Sequence, residues 1–323
     1  MEENVLVYIL SLGVSLAYID PACEEIANAG PPEDYSELTQ NNFLLNYYAL
    51  ATTFSALHAP IPHKPGTGSI GLELSILPPL GCKQRLVLDY TKTEDTNKTP
   101  ILPRPRGSFA FPAFTDSKGR SLVPYAGFGY VPHVPIGGTR NVMLSIETGL
   151  GVGNLNKGGL QYGFRYHATL QRTLGEIATP FVSEEEAYDA CIVDGGAEQE
   201  CQEQAAEEAK AYDDVYIGST FGVDLSIGYA LTKGFPMSIY GSAGFVDVST
   251  FFYIDDDAVV GNNYTPYAGP TFSLGWQGTP MKNLDVAAEF YTAPFSLFDI
   301  DGFKFSSKDG SIYTGKIKIA YLF

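Results

Sequence analysis

The chain is short of basic residues, cysteine, histidine and long apolar runs, and each shortage removes a class of function. Twenty Lys and Arg face 37 Asp and Glu, a net charge of -17. That balance excludes nucleic acid as a partner, because neutralising phosphates needs basic patches. Beyond the N-terminus no run of 18 apolar residues occurs, so no spanning helix is predicted there. Strands are a separate matter, since a membrane strand is polar on one face and escapes hydropathy windows. The four cysteines and four histidines are scattered. No cysteine pair has the two-to-four-residue spacing of zinc ligands, and neither a metal nor a cofactor is expected. Gly66-Thr-Gly68-Ser-Ile-Gly71 and Gly310 to Lys316 mimic nucleotide loops, but both lie in or beside strands with no helix following.

What the chain does have is glycine and aromatics. Gly 34, Tyr 21 and Phe 20, with only 18% charged residues, is a composition of strands and tight turns. Twelve strands are predicted at 43–57, 67–77, 83–90, 105–114, 121–131, 138–153, 158–177, 214–231, 236–254, 264–278, 283–297 and 310–323. The connections between them sort into two sets. Those at 78–82, 115–120, 154–157, 232–235 and 279–282 are short, and every long one falls in the other set: 58–66, 91–104, 132–137, 178–213, 255–263 and 298–309. Short turns alternating with long loops is the pattern of an antiparallel up-and-down membrane barrel with periplasmic turns and outer loops. A secreted β-sandwich is the soluble alternative; its sheets also alternate, but it has no reason to sort its loops. Residues 43–57 alternate poorly, and 236–254 changes parity around Gly241 to Phe245, where a bulge is expected.

The last nine residues carry the clearest pattern. Ile317, Ile319, Tyr321 and the terminal Phe323 share one parity, with Lys316, Lys318 and Ala320 on the other. Successive side chains of a strand point to opposite faces, so one face is apolar and the other wet. This aromatic-terminated strand resembles the closing strand of Gram-negative outer-membrane β-barrels. The resemblance implies an outer-membrane location, with membrane lipid and, through the C-terminal strand, the barrel-assembly machinery as partners. Residues 5–17 form an apolar run ending in Ser15-Leu16-Ala17, read as a signal peptide at 1–17 despite Glu2 and Glu3 where a basic start is usual. Residues 18–42 are then a periplasmic lead-in, and 43–323 the barrel.

Parity assigns the inward charges: Glu73, Arg85, Asp89, Glu147, Arg165, His167, Asp224, Asp285, Glu289, Lys316 and Lys318. Glu147 is expected opposite or diagonal to Arg165, and Glu289 against one of the two lysines. Such a set is either a selectivity lining or a charge-paired core filling the barrel. The insertion at 178–213 is acidic and rich in helix formers around Gly195-Gly196, with Cys191 and Cys201 placed to staple a helical hairpin. Cys23 and Cys82 are expected to form a second bridge on the periplasmic side. Asp255-Asp256-Asp257 and Asp299 with Asp301 offer oxygen ligands to divalent cations on outer loops. His167, with Thr169 and Glu147 near it, is a weak candidate for a hydrolytic grouping that has no convincing serine; His58, His63 and His133 lie in Pro-rich loops.

The function expected first is a narrow channel or passive pore for small solutes. The alternative is a closed structural or surface-interaction barrel, followed by an outer-membrane hydrolase. A hydrophobic-solute transporter would add an N-terminal plug and an apolar lumen, and the charged inward set speaks against the latter.

Overall fold

The computed structural model describes residues 19–33, 35–87, 89–93, 100–136, 139–175, 184–193, 195–202, 214–231, 236–254, 258–261, 267–294 and 312–323. Ten long strands form the wall: β1 (Thr67–Ile76), β2 (Ile101–Ala110), β3 (Ser121–Ile136), β4 (Thr139–Gly153), β5 (Gly159–Gly175), β6 (Asp214–Leu231), β7 (Met237–Ile254), β8 (Tyr267–Met281), β9 (Leu284–Ala293) and β10 (Ile312–Leu322). Each pairs antiparallel with its neighbours in sequence, and β10 returns to β1 with Ser69 opposite Leu322 and Ile76 opposite Gly315. The cylinder is therefore closed, with an even strand number.

Side-chain alternation is inverted relative to a soluble protein. Ile70, Leu144, Tyr162, Leu225, Leu274 and Ile319 lie exposed on the outside, while Glu73, Arg104, Glu147, Lys316 and Lys318 are buried inside. An apolar belt around a polar interior is stable only in lipid, so the chain is a transmembrane β-barrel of the outer-membrane type. It is not a sandwich.

Two of the twelve expected strands are absent from the wall. Residues 43–57 belong instead to a helix, Glu37–Ala51, and an extended stretch after it. Phe43, Tyr47, Leu50 and Ala51 are buried against Leu77, Val246, Val248, Tyr267, Ala293 and Ile312 of the barrel interior. A helix apolar on most sides is a buried helix, and its short apolar run cannot be distinguished from a strand by period alone. Residues 83–90 form a helical turn (Cys82–Arg85) and a two-residue strand (Leu86–Val87) paired with Lys92–Thr93. The whole of 77–100 is thus one connection.

Losing both strands preserves the sorting of the loops. The connections on the rim that holds Phe323 are 111–120, 154–158, 232–236 and 282–283; those on the opposite rim are 77–100, 137–138, 176–213, 255–266 and 294–311. We call these the terminal rim and the loop rim. The expected bulge in β7 does not occur: β7 runs in unbroken register against both neighbours. The parity change arises because Val246 and Val248 point inward, where they pack on the lumen helix.

The wall is uneven at one seam. β2 pairs with β1 along its full length but with β3 only over Arg106–Ala110. Pro103 and Pro105 lack amide protons, so that edge of β2 has nothing to donate to β3.

Candidate functional site

The N-terminal segment occupies the lumen from end to end. It starts outside the loop rim, where Cys23 is bonded to Cys82 at a Cα separation of 5.3 Å. Arg85 Nη1 meets Asp20 Oδ2 at 2.9 Å there, and Asp20 N donates to Thr93 Oγ1 at 3.2 Å. The Ala22 amide, then Arg85, hold the Asp20 carboxyl below its ordinary pKa. This corrects three expectations. The bridge forms, but at the rim opposite the C-terminus, because 77–100 is a single connection. Arg85 is not in the lumen. Asp89 is exposed in the turn between the two short strands, with a left-handed φ of 52°.

From this anchorage the helix enters the barrel. Tyr48 Oη donates to Asn141 Oδ1 at 3.0 Å, and Tyr216 Oη to the Leu45 carbonyl at 2.8 Å. Below the helix the chain is extended, and the wall takes hold of its backbone. Arg104 Nη1 donates to the Thr52 carbonyl at 3.1 Å and Arg106 Nη1 to the Ser55 carbonyl at 2.8 Å. Lys316 donates to the Thr53 carbonyl, Arg165 to that of Phe54, and the other Arg106 nitrogen to that of Ala56. Five consecutive carbonyls are therefore each met by a cation. Further down, Leu57 N donates to Glu289 Oε2 at 3.1 Å and Ala59 N to Gln277 Oε1 at 2.9 Å. Gln277 Nε2 also reaches the Pro62 carbonyl at 2.9 Å.

The cations are balanced by carboxylates on adjoining strands or, for Arg106 and Glu147, one strand further on. Glu73 receives Arg104 and, at 3.0 Å, Arg106; Glu147 receives Arg106 at 2.9 Å and Arg165 at 2.7 Å; Asp224 receives Arg165 at 2.6 Å. Glu147 is opposite His167 in register, so Arg165 is its diagonal partner. His167 Nε2 is 3.5 Å from Asp224 Oδ2. Lys318 pairs with Asp285 at 2.8 Å. Glu289 is opposite Lys316 in register, yet the Lys316 amine turns to Thr53 and Glu289 to Leu57, because the threaded chain presents groups of its own. Burying such charges is tolerable only when they are paired and hydrogen-bonded like this.

Arg104 and Arg106 are the functional residues that parity reasoning missed. Arg104 falls in the expected loop 91–104, beside Pro103, and Arg106 in the expected strand 105–114 without an assigned face; Pro103 and Pro105 both sit on the outward parity of β2. Phe54 lies beneath this cluster, its ring centroid 5.0 Å, 4.2 Å and 5.9 Å from the guanidinium carbons of Arg104, Arg106 and Arg165. Six residues on, Pro60 fits against Gly151 and Gly228: a Cβ on Gly151 would stand 2.2 Å from the Pro60 carbonyl oxygen, and one on Gly228 2.8 Å from its Cδ. His63, placed by sequence in a loop, reaches the wall at the terminal rim, with Nε2 2.7 Å from Ser108 Oγ and 3.1 Å from Ser69 Oγ.

The acidic insertion contains a helix, Glu184–Val193, followed by Gly195 at φ 86° and the Cys191–Cys201 disulfide at a Cα separation of 5.4 Å. Residues 1–17, expected to be a signal peptide, and the aspartates at 255–257, 299 and 301 lie outside the described residues.

No family model matches the chain, and no curated protein matches its sequence. Among solved structures it is similar to the translocator domain of the autotransporter NalP from Neisseria meningitidis, at 9% identity over 80% of this chain and 89% of that one, with a TM-score of 0.38. It is also similar to the toluene transporter TodX of Pseudomonas putida, at 11% identity over 90% and 76%, TM-score 0.30. A third similarity is to the transport unit of the autotransporter AIDA-I from Escherichia coli, at 9% identity over 89% and 99%, TM-score 0.31.

Proposed function

We propose that this is a barrel of the Gram-negative outer membrane whose lumen is sealed by its own N-terminal segment, and that it serves as a surface scaffold. The observation that carries this reading is the threaded stretch from Phe43 to His63, with its main chain bonded to the wall at each level. A small-solute channel through the same lumen requires that segment to withdraw, which means exposing Glu73, Glu147 and their arginines to a new set of partners. Short turns on the periplasmic side and long loops outside is the general rule for such barrels. By that rule the loop rim, with its disulfide-bonded N-terminal anchorage and the acidic insertion, faces the exterior. Membrane lipid is the partner of the apolar belt, and the assembly machinery that of β10. Hydrolysis has weaker support, since the His167 ring stands 3.5 Å from the Asp224 carboxylate and, among the described residues, the serines bonded to a histidine are those at His63.

Conductance across planar bilayers tests the seal. The oxidised full chain is expected to give a silent membrane at moderate voltage, with a folded barrel recovered afterwards. Steady single-channel steps from that same oxidised protein would overturn the scaffold reading in favour of a pore.

A further inference from the structure

The manner in which the wall holds residues 52–63 says what else it can hold. The five cationic contacts fall on main-chain carbonyls, Thr52 through Ala56, and two amides further on, Leu57 and Ala59, donate to wall side chains. Every extended polypeptide has these groups, whatever its sequence. The side chains contribute little by comparison: Ser55 Oγ is buried with no hydrogen-bond partner among the described residues, and Thr53 Oγ1 bonds back to Ala49 of its own helix at 3.0 Å. The exceptions are Thr52, whose Oγ1 donates to Gln171 Oε1 at 2.7 Å, His58, 3.6 Å from Glu147, His63, bonded to Ser108 and Ser69, and two side chains held by packing. Phe54 is covered by three guanidinium groups, and Pro60 occupies a recess that exists because Gly151 and Gly228 have no Cβ.

We propose that the mid-lumen ring of Arg104, Arg106, Arg165 and Lys316 is a binding site for extended polypeptide, of which residues 52–63 are the resident occupant. Its side-chain specificity lies in the aromatic residue at 54, the proline six positions later and the polar residues at 52, 58 and 63, and leaves 53, 55 and 56 open. Recognition of carbonyls by fixed cations fits a guest that is held in one conformation and tolerated in many sequences. The proposal rests on the lumen being sealed by that segment and goes beyond it, because a seal needs only to fill space, whereas this site predicts exchange.

The test uses the full chain with a protease site inserted at the exposed turn around Lys64 to Gly66. The barrel is folded and cut, and Cys23–Cys82 is then reduced, leaving the N-terminal piece held without a covalent link. Three labelled synthetic peptides spanning residues 50–63 are then offered: the native sequence, one with the side chains at 53, 55 and 56 permuted, and one with reduced peptide bonds lacking the carbonyls of 53–55. The native and permuted peptides are expected to enter with affinities within threefold of each other, and the carbonyl-deleted peptide at least tenfold more weakly. A native peptide bearing Phe54→Ala is also expected to lose at least tenfold. If the permuted peptide binds more than tenfold worse than the native one, or the carbonyl-deleted peptide binds as well, the site reads side chains and the proposal fails. If no peptide enters, the segment is a fixed filling; the proposal fails while the seal stands. Conductance of the uncut, oxidised chain would instead remove the seal itself.

Discussion

Glu147 on β4 and Arg106 on β2 meet at 2.9 Å although a whole strand, β3, lies between them. The crossing is possible because the intervening wall position is Gly127, where a Cβ would stand 2.4 Å from Glu147 Oε1. A side chain at 127 must push the carboxylate aside and leave Arg106 and Arg165 short of a counter-charge. Gly127→Val is therefore expected to destabilise the barrel, and Glu147→Ala more so, by about 3–5 kcal/mol as for other broken buried ion pairs. Denaturant unfolding in lipid vesicles, followed through the lone Trp276, measures both.

Phe54 and Ser55 are neighbours with opposite forecasts. Phe54→Ala leaves a void beneath three guanidinium groups and is expected to cost about 3–5 kcal/mol. Ser55→Ala removes a buried hydroxyl that has no partner among the described residues, so its expected effect lies between neutral and a gain of about 1 kcal/mol. The same unfolding assay compares them. Equal losses would contradict this packing of the segment.

The bridge at the loop rim closes a span of 59 residues, for which loop-closure entropy gives about 4 kcal/mol. Cys23→Ser is expected to lower stability by an amount of that order or less and to expose residues 24–36 to proteases. The ion-paired ring is unaffected, since its contacts lie below the helix. Limited proteolysis with mass analysis distinguishes fraying at the rim from loss of the whole threaded segment.

Leu225 is 67% exposed on the outer face of β6, where lipid takes the place of water. Leu225→Arg is expected to cost about 2–4 kcal/mol if that site lies near the bilayer midplane, whereas Leu225→Ile should pass unnoticed. A soluble barrel would show the reverse tolerance, so the pair checks the membrane assignment independently of the lumen.

How much of this was legible in the sequence depends on whether a residue's environment is set by its own strand. Ile317, Ile319 and Tyr321 announce the closing strand because parity alone decides their face, and Cys191 and Cys201 declare their bridge across a Gly-Gly turn. The lumen helix was not legible: Phe43, Tyr47 and Leu50 have helical spacing, but the residues between them are buried or half-buried too, so no polar stripe marks the period. Arg104 was hidden by Pro103, which ordinarily breaks a strand and here sits along a seam with no ladder to β3, while Arg106 lies inside the expected strand 105–114 with no face assigned. The partners of Lys316 and Glu289 could not be read from the hairpin that carries them, because both bond to a chain segment more than 200 residues away.

Amide hydrogen exchange in a lipid bilayer tests the central claim most directly, read at Leu57, Ala59 and Ile61 in the oxidised full chain. Exchange as slow as that of wall amides in β5 and β10 is the predicted result, since these groups donate to buried acceptors inside a closed cylinder. Exchange within seconds, with the wall still protected, would show the segment to lie outside the barrel and would contradict the account.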